Sequence, residues 1–238
     1  MVIGTALLAG ADAANVPVLN DRTAGEQLAA KLATAMPEES ATARGIFDLE
    51  RRGADDAYVP VTMDVSVTSN SWRTVYSAQV GNGRETVSIL HQPGKASVYT
   101  YEAPRRQSVS LVGDRATNVF AGSDFALVDL GLEFLHWPNQ VLVTKEMKKS
   151  RGCYVLESRP AVTNLYSKVI SWLDEETSDR GTPGLVLAHA YDANGKLLKE
   201  FEVREVKKVA GQWQVEEIEL RNRQTKGSTR LRFDFNSK

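Results

Sequence analysis

Three histidines, one cysteine and a run of three acids are the residues of this 238-residue chain whose types suggest covalent or metal chemistry. His91, His136 and His189 lie far apart in the sequence, so no two stand at the spacing of a zinc-binding pair. Cys153 is alone, which excludes an intrachain disulfide, a cysteine-cluster zinc site and a Cys-x-x-Cys redox pair. Asp174, Glu175 and Glu176 follow one another directly. A glycosidase needs two carboxylates on facing elements, so a local run reads as a solvated turn, and a lipid or glycan hydrolase built on it is set aside. No G-x-S-x-G elbow, P-loop, G-x-G-x-x-G or EF-hand loop occurs. The sequence offers no catalytic set, no metal set and no cofactor motif.

What it offers instead is apolar material in an unusual place. Gly122 to Pro138 reads GSDFALVDLGLEFLHWP, with Phe125, Leu127, Val128, Leu130, Leu132, Phe134 and Leu135 close together. The pattern predicts a helix over Phe125 to Leu135, capped by Ser123 or Asp124 and stopped where Pro138 disfavours a helical Trp137. Its charged residues, Asp129 and Glu133, are four apart and share one face. Gly131 in the middle costs about 1 kcal/mol relative to alanine. A weak helix that is oily nearly all round must be covered on more than one side. It is either a core helix or a lid over an apolar cavity.

The elements around it are mostly strands. Thr23 to Met36 is expected as a helix, with Leu28, Leu32 and Met36 on one face, Thr23 and Glu26 as a capping box, and Pro37 as its stop. The residues before it, Asn15 to Asn20, read as a loose leader. From Ala41 onward the chain alternates with period two: Val61, Met63, Val65 and Val67 interleave with Thr62, Asp64, Ser66 and Thr68. Turn signals recur about every ten residues, including Gly81-Asn82-Gly83 and Asp192-Ala193-Asn194-Gly195. The expected fold is mainly β (α+β), a curved antiparallel sheet or barrel of about eleven strands with short helices. In the strand near Gln212 to Asn222 the apolar spacing slips at Glu216-Glu217, as a β-bulge would produce. Glu216, Glu217 and Glu219 with Arg221, Arg223, Arg230 and Arg232 read as a solvated outer face.

Lys plus Arg is 29 and Asp plus Glu is 30, which argues against a dedicated nucleic-acid binder. No apolar run is long enough to span a membrane as a helix. The first fourteen residues, MVIGTALLAGADAA, read as the remnant of a secretory signal, with Ala11-Asp12-Ala13 shaped like a cleavage site and 15–238 as one domain. No cysteine follows that site to carry a lipid anchor.

The blocks CYVLESRP from Cys153, YSKVISWLDEET from Tyr166 and AYDANGKLLK from Ala190, with FAGSDF from Phe120 and Asp129-Leu130 upstream, resemble the outer-membrane lipoprotein-sorting family, the LolA-like periplasmic carriers. The resemblance covers about Val119 to Phe235. It implies an incomplete antiparallel barrel with helices as a lid, a hydrophobic cavity for lipoprotein acyl chains or lipids, and no catalysis or cofactor. It further implies a soluble periplasmic monomer that receives cargo from an inner-membrane exporter and gives it to an outer-membrane acceptor. On this reading the cavity or lid consists of Leu28, Leu32, Met36, Phe125, Leu127, Leu130, Phe134, Trp137 and Trp172. An envelope sensor or protein-binding module on the same fold is the alternative; a cavity open to solvent would favour the carrier and a filled barrel the sensor.

Overall fold

A computed structural model of the chain describes residues 18–53, 55–104, 106–179, 184–209 and 212–235. The expected signal remnant, 1–14, lies outside them. In chain order the elements are β1 (Val18–Asp21), α1 (Arg22–Ala33), β2 (Ala41–Glu50), β3 (Ala57–Val67), β4 (Trp72–Val80), β5 (Gly83–His91), β6 (Val98–Glu102) and β7 (Val109–Val112). They continue with α2 (Leu127–Leu130), β8 (Asn139–Lys148), β9 (Arg151–Arg159), β10 (Lys168–Asp174) and α3 (Glu175–Asp179). β11 (Gly184–Tyr191), β12 (Leu197–Val209), β13 (Gln212–Asn222) and β14 (Ser228–Asp234) complete the chain.

All fourteen strands belong to one antiparallel sheet in the order β1-β8-β9-β10-β11-β12-β13-β14-β2-β3-β4-β5-β6-β7. Hairpin connections build two runs, β2 to β7 and β8 to β14. The pairing of β14 with β2, from Ser228 opposite Glu50 to Asp234 opposite Arg44, joins them. Among the described residues the sheet does not close: β1 and β7 are its two edges. The count exceeds the expected eleven, and part of the excess is short edge structure. The four-residue β1 falls partly in the expected loose leader and has too few residues to show alternation.

Period-two patterning puts one set of side chains inside the curl. On β4, Trp72, Thr74, Tyr76 and Ala78 are buried while Arg73 and Gln79 face solvent. On β14, Leu231 and Phe233 point in, and Arg232 points out toward Asp48. The expected bulge is present: Glu205 pairs with Glu217 but Val206 pairs with Val215, so Glu216 is skipped.

The first helix differs from its expected bounds at both ends. Asp21, not Thr23, caps it, its Oδ1 accepting from the Ala24 N–H at 2.9 Å. It stops at Ala33 because the Thr34 hydroxyl takes the Ala30 carbonyl at 2.6 Å and Pro37 blocks continuation. Met36 is therefore beyond the helix and 41% exposed. The helix lies on β8 through small residues: a Cβ at Gly25 would fall 2.5 Å from the Leu142 nitrogen.

The acids Asp174 to Glu176 are not a loose turn. Asp174 caps α3 by accepting from the Thr177 N–H at 3.0 Å and also binds Arg151 at 3.0 Å, while Glu175 pairs with Lys145 at 2.6 Å. On the outer face of the late strands, Glu219 is buried between Arg204, Arg221 and Arg230, so that face is a ladder of ion pairs rather than a set of separately solvated charges.

Candidate functional site

The inner face of the sheet is a trough of apolar and aromatic side chains, and the connection between β7 and β8 fills it. That connection is not the continuous helix expected over Phe125 to Leu135. It comprises a tight loop bridged at Val119 and Ala126, a single α-turn (α2), and a 3₁₀ turn over Glu133–His136. The break is at Gly131 and Leu132, the latter left-handed at φ 49°. Packing accounts for the glycine: a Cβ at Gly131 would fall on the Tyr99 hydroxyl. Ser123 and Asp124 do not cap α2. The Ala126 N–H is instead taken by Asp129 Oδ2 at 2.8 Å.

Asp129 and Glu133, set in the oiliest stretch of the chain, are 4% and 2% exposed. A buried carboxylate needs compensation, and each finds a different kind. Asp129 Oδ2 also accepts from Lys199 Nζ of β12 at 2.7 Å, and its Oδ1 accepts from the Tyr166 hydroxyl at 2.8 Å. Lys199 additionally donates to the Asp124 carbonyl at 2.8 Å. The Asp124 carboxylate in turn accepts from Asn222 and Thr229, both at 3.0 Å. The front of the segment is thus tied to β12, β13 and β14.

Glu133 has neutral donors: the Tyr99 hydroxyl at 2.9 Å and the Ser97 N–H at 3.3 Å, both to Oε2. Burial raises its carboxyl to about 7, and those hydrogen bonds offset only part of the rise. Burial also lifts the Tyr99 and Tyr166 hydroxyls well above their ordinary value, with the adjacent carboxylates adding to it. Beside Ser97, His91 stacks on Trp72 with centroids 4.8 Å apart. Burial, then the charge of His136, lowers His91 to about 4. The rear of the segment is fixed by Gln140, which donates to the Phe134 and Trp137 carbonyls at 2.9 and 3.0 Å and accepts from Ser158. Trp137 donates to Asp114.

These polar groups hold one another in place, and none is aimed as a nucleophile–base pair at an open space. The apolar groups make the trough. Phe47 on β2 meets Phe120 and Phe125 at 6.0 and 5.9 Å, and Phe125 meets Phe201 of β12 at 6.4 Å. At the rim by the β4–β5 turn an open groove of about 680 Å³ is lined by Val80, Glu85, Tyr101, Pro104, Arg106 and Val119. Glu85 braces it, accepting from the Tyr101 hydroxyl at 3.0 Å and the Ala121 N–H at 2.8 Å.

Seven of the nine residues expected to line a cavity come together. Leu28, Phe125, Leu127, Phe134 and Trp137 are buried in one apolar body, with Leu32 and Leu130 half-buried against it. Two do not join them. Met36 is past the end of α1, and Trp172 lies on the outer face with Cys153, Val155, Val186 and Leu187. Sequence reading missed Lys199, Tyr99 and Tyr166. The signal available was the pair of acids inside an oily run, which requires buried partners that sequence spacing does not identify.

A family model described as "Uncharacterized protein" matches residues 74–236. No curated protein matches the chain. Among solved structures, a DUF1329 family protein from Desulfovibrio piger superposes with TM-score 0.74 at 16% identity, over 91% of this chain and 92% of that one. A domain named for outer-membrane lipoprotein sorting from Vibrio parahaemolyticus gives 0.69 at 18% identity, over 91% and 94%. A LolA superfamily protein from Nitrosomonas europaea gives 0.64 at 15% identity, over 88% and 91%.

Proposed function

We propose a function from one premise: this chain belongs to the "Uncharacterized protein" family matched over residues 74–236, and its fold is LolA-like. The protein binds the acyl chains of lipoproteins or lipids on the inner face of its sheet and carries them through the periplasm toward the outer membrane. The observation that carries this reading is the trough itself. It is apolar, belongs to a sheet that is unclosed among the described residues, and is filled by residues 119–137 with α1 packed beside them. An acyl chain gains about 0.8 kcal/mol per methylene buried, which is the drive for it to take the place of the covering segment's own apolar side chains. The groove beside Val119 is the natural entry. Leu28, Leu32, Phe125, Leu127, Leu130, Phe134 and Trp137 are the proposed lining and lid. An exporter in the inner membrane and an acceptor at the outer membrane are the partners this traffic needs, and the carrier acts as a monomer. Two neighbours with the same fold are named for lipoprotein sorting and for the LolA superfamily, which supports a binding role.

The test is native mass spectrometry of protein purified from an exporting host, followed by lipid extraction. A retained mass that extracts as an acylated species is the expected result. Protein that is empty and ignores fluorescent acyl probes would remove the carrier reading. One observation favours the second reading, an envelope sensor or protein-binding module: the trough is filled, with Phe47, Tyr99, Phe120, Phe125 and Leu127 fully buried. Empty protein that captures a protein partner would support it.

A further inference from the structure

β12 and β13 run on beyond both of their neighbours. Pairing of β11 with β12 extends to Leu187 opposite Glu202, and pairing of β14 with β13 to Glu217 opposite Arg232. β12 and β13 continue together to Val209 opposite Gln212. Past the sheet they form a two-stranded arm with no third strand beside it among the described residues. Val206 faces Val215 and Lys208 faces Trp213, so these four share one side of the arm. Trp213 is 69% exposed, and Val206 and Val215 are exposed beside it. A ribbon of two strands has no core of its own, and these apolar groups belong to neither apolar cluster of the described residues.

The stretch from Val206 to Val215 carries Lys207 and Lys208 and no acid. The acids Glu205, Glu216 and Glu217 stand at its root, where Glu216 pairs with Lys207 at 3.2 Å. A second hairpin points the same way. Cys153 pairs with Asp174 and Asp174 with Gly184, so the β8–β9 turn lies at the same end of the sheet as the arm. It presents Met147, 68% exposed, followed by Lys148 and Lys149. Lys148 lies over the Trp172 ring at 4.3 Å and Lys149 pairs with Glu202 at 2.8 Å.

We infer that the β12–β13 arm, with Trp213 near its tip and Val206 and Val215 behind it, docks this protein on a bilayer surface that carries anionic headgroups. Tryptophan flanked by lysine is the composition of the membrane–water interface, and lysines near the surface are attracted to anionic lipid. A stable protein–protein interface buries about 800 Å² on each side, far more apolar surface than one Trp and two Val on a narrow ribbon provide. Insertion at a bilayer interface needs only such a wedge. The arm lies outside the trough, so surface docking and acyl uptake are independent properties that fail separately.

The chain contains its own reporter. Trp72, Trp137 and Trp172 are buried, and Trp213 alone of the four is exposed. Full-length protein is mixed with vesicles of phosphatidylcholine alone or of phosphatidylcholine with phosphatidylglycerol. The expected result is a blue shift and loss of acrylamide quenching with the anionic vesicles. Co-sedimentation should weaken roughly tenfold or more in Trp213→Ser, and the anionic preference should fall in a Lys207→Gln/Lys208→Gln variant. Unchanged far-UV circular dichroism shows that the variants fold. Trp213 that stays fully quenched, or a Trp213→Ser protein that sediments like the wild type, would overturn the inference. Binding carried by a soluble protein partner would give the first of those results.

Discussion

Asp129 and Glu133 lie four residues apart in one apolar segment, are both buried, and are compensated in opposite ways. Asp129 meets a full positive charge, Lys199, and a hydroxyl, Tyr166. Glu133 meets a hydroxyl and a backbone N–H, and burial lifts its carboxyl to about 7. The front anchor is therefore a buried ion pair, while burial makes the rear anchor favour its protonated acid.

Breaking the front anchor should have the largest effect. Lys199→Met leaves Asp129 buried without its charge partner, which costs about 3–5 kcal/mol. Chemical denaturation should report that loss, and adding Asp129→Leu should restore part of it by removing the unpaired charge, while the Ala126 N–H and the Tyr166 hydroxyl lose their acceptor.

The rear anchor should show in pH. Glu133 has its folded value raised from an ordinary 4.5 to about 7. Its stabilising effect is complete below about 4.5 and is lost as pH rises through about 7, by about 3 kcal/mol in total. His91, lowered to about 4, acts oppositely, losing stability as pH falls from 6.5 through about 4. The difference between wild type and Glu133→Gln isolates the glutamate: the variant should gain stability relative to wild type from pH 5 to pH 8. A constant difference across that range would mean that Glu133 does not titrate there.

A smaller effect is expected at the break. Gly131→Ala places a methyl on the Tyr99 hydroxyl and should push it off Glu133, at about 1–3 kcal/mol. Because the Tyr99 hydrogen bond lowers the Glu133 carboxyl, its loss should raise that carboxyl further and steepen the fall in stability with rising pH, opposite to Glu133→Gln. The smallest effect on stability is expected at the half-buried Leu130. Leu130→Glu should leave the sheet folded and weaken uptake of a fluorescent acyl probe.

The comparison also explains what could be read from the chain alone. Strands such as β3 and β14 were legible because alternation with period two is a local property of the sequence. The bulge at Glu216 was legible for the same reason. The close approach of Tyr99 to Gly131 was not, because it is made by a residue on a distant strand. The covering segment stood out through its oily residues, but its anchors did not. Lys199 and Tyr166 become partners of Asp129 only when the sheet curls. Trp172 was misplaced relative to the trough because β10 is apolar on both faces, with Val169 and Leu173 inward and Ile170 and Trp172 outward.

The central claim is that residues 119–137 occupy, as a displaceable cover, the place an acyl chain takes. The most direct measurement compares the affinity of wild type and Lys199→Met for a fluorescent acyl probe under conditions where both are folded. Loosening the cover raises the population of the binding-competent state and tightens apparent binding in proportion, so the variant should bind more tightly than the wild type. Equal or weaker binding by a folded Lys199→Met protein would contradict the account and leave the segment as plain core.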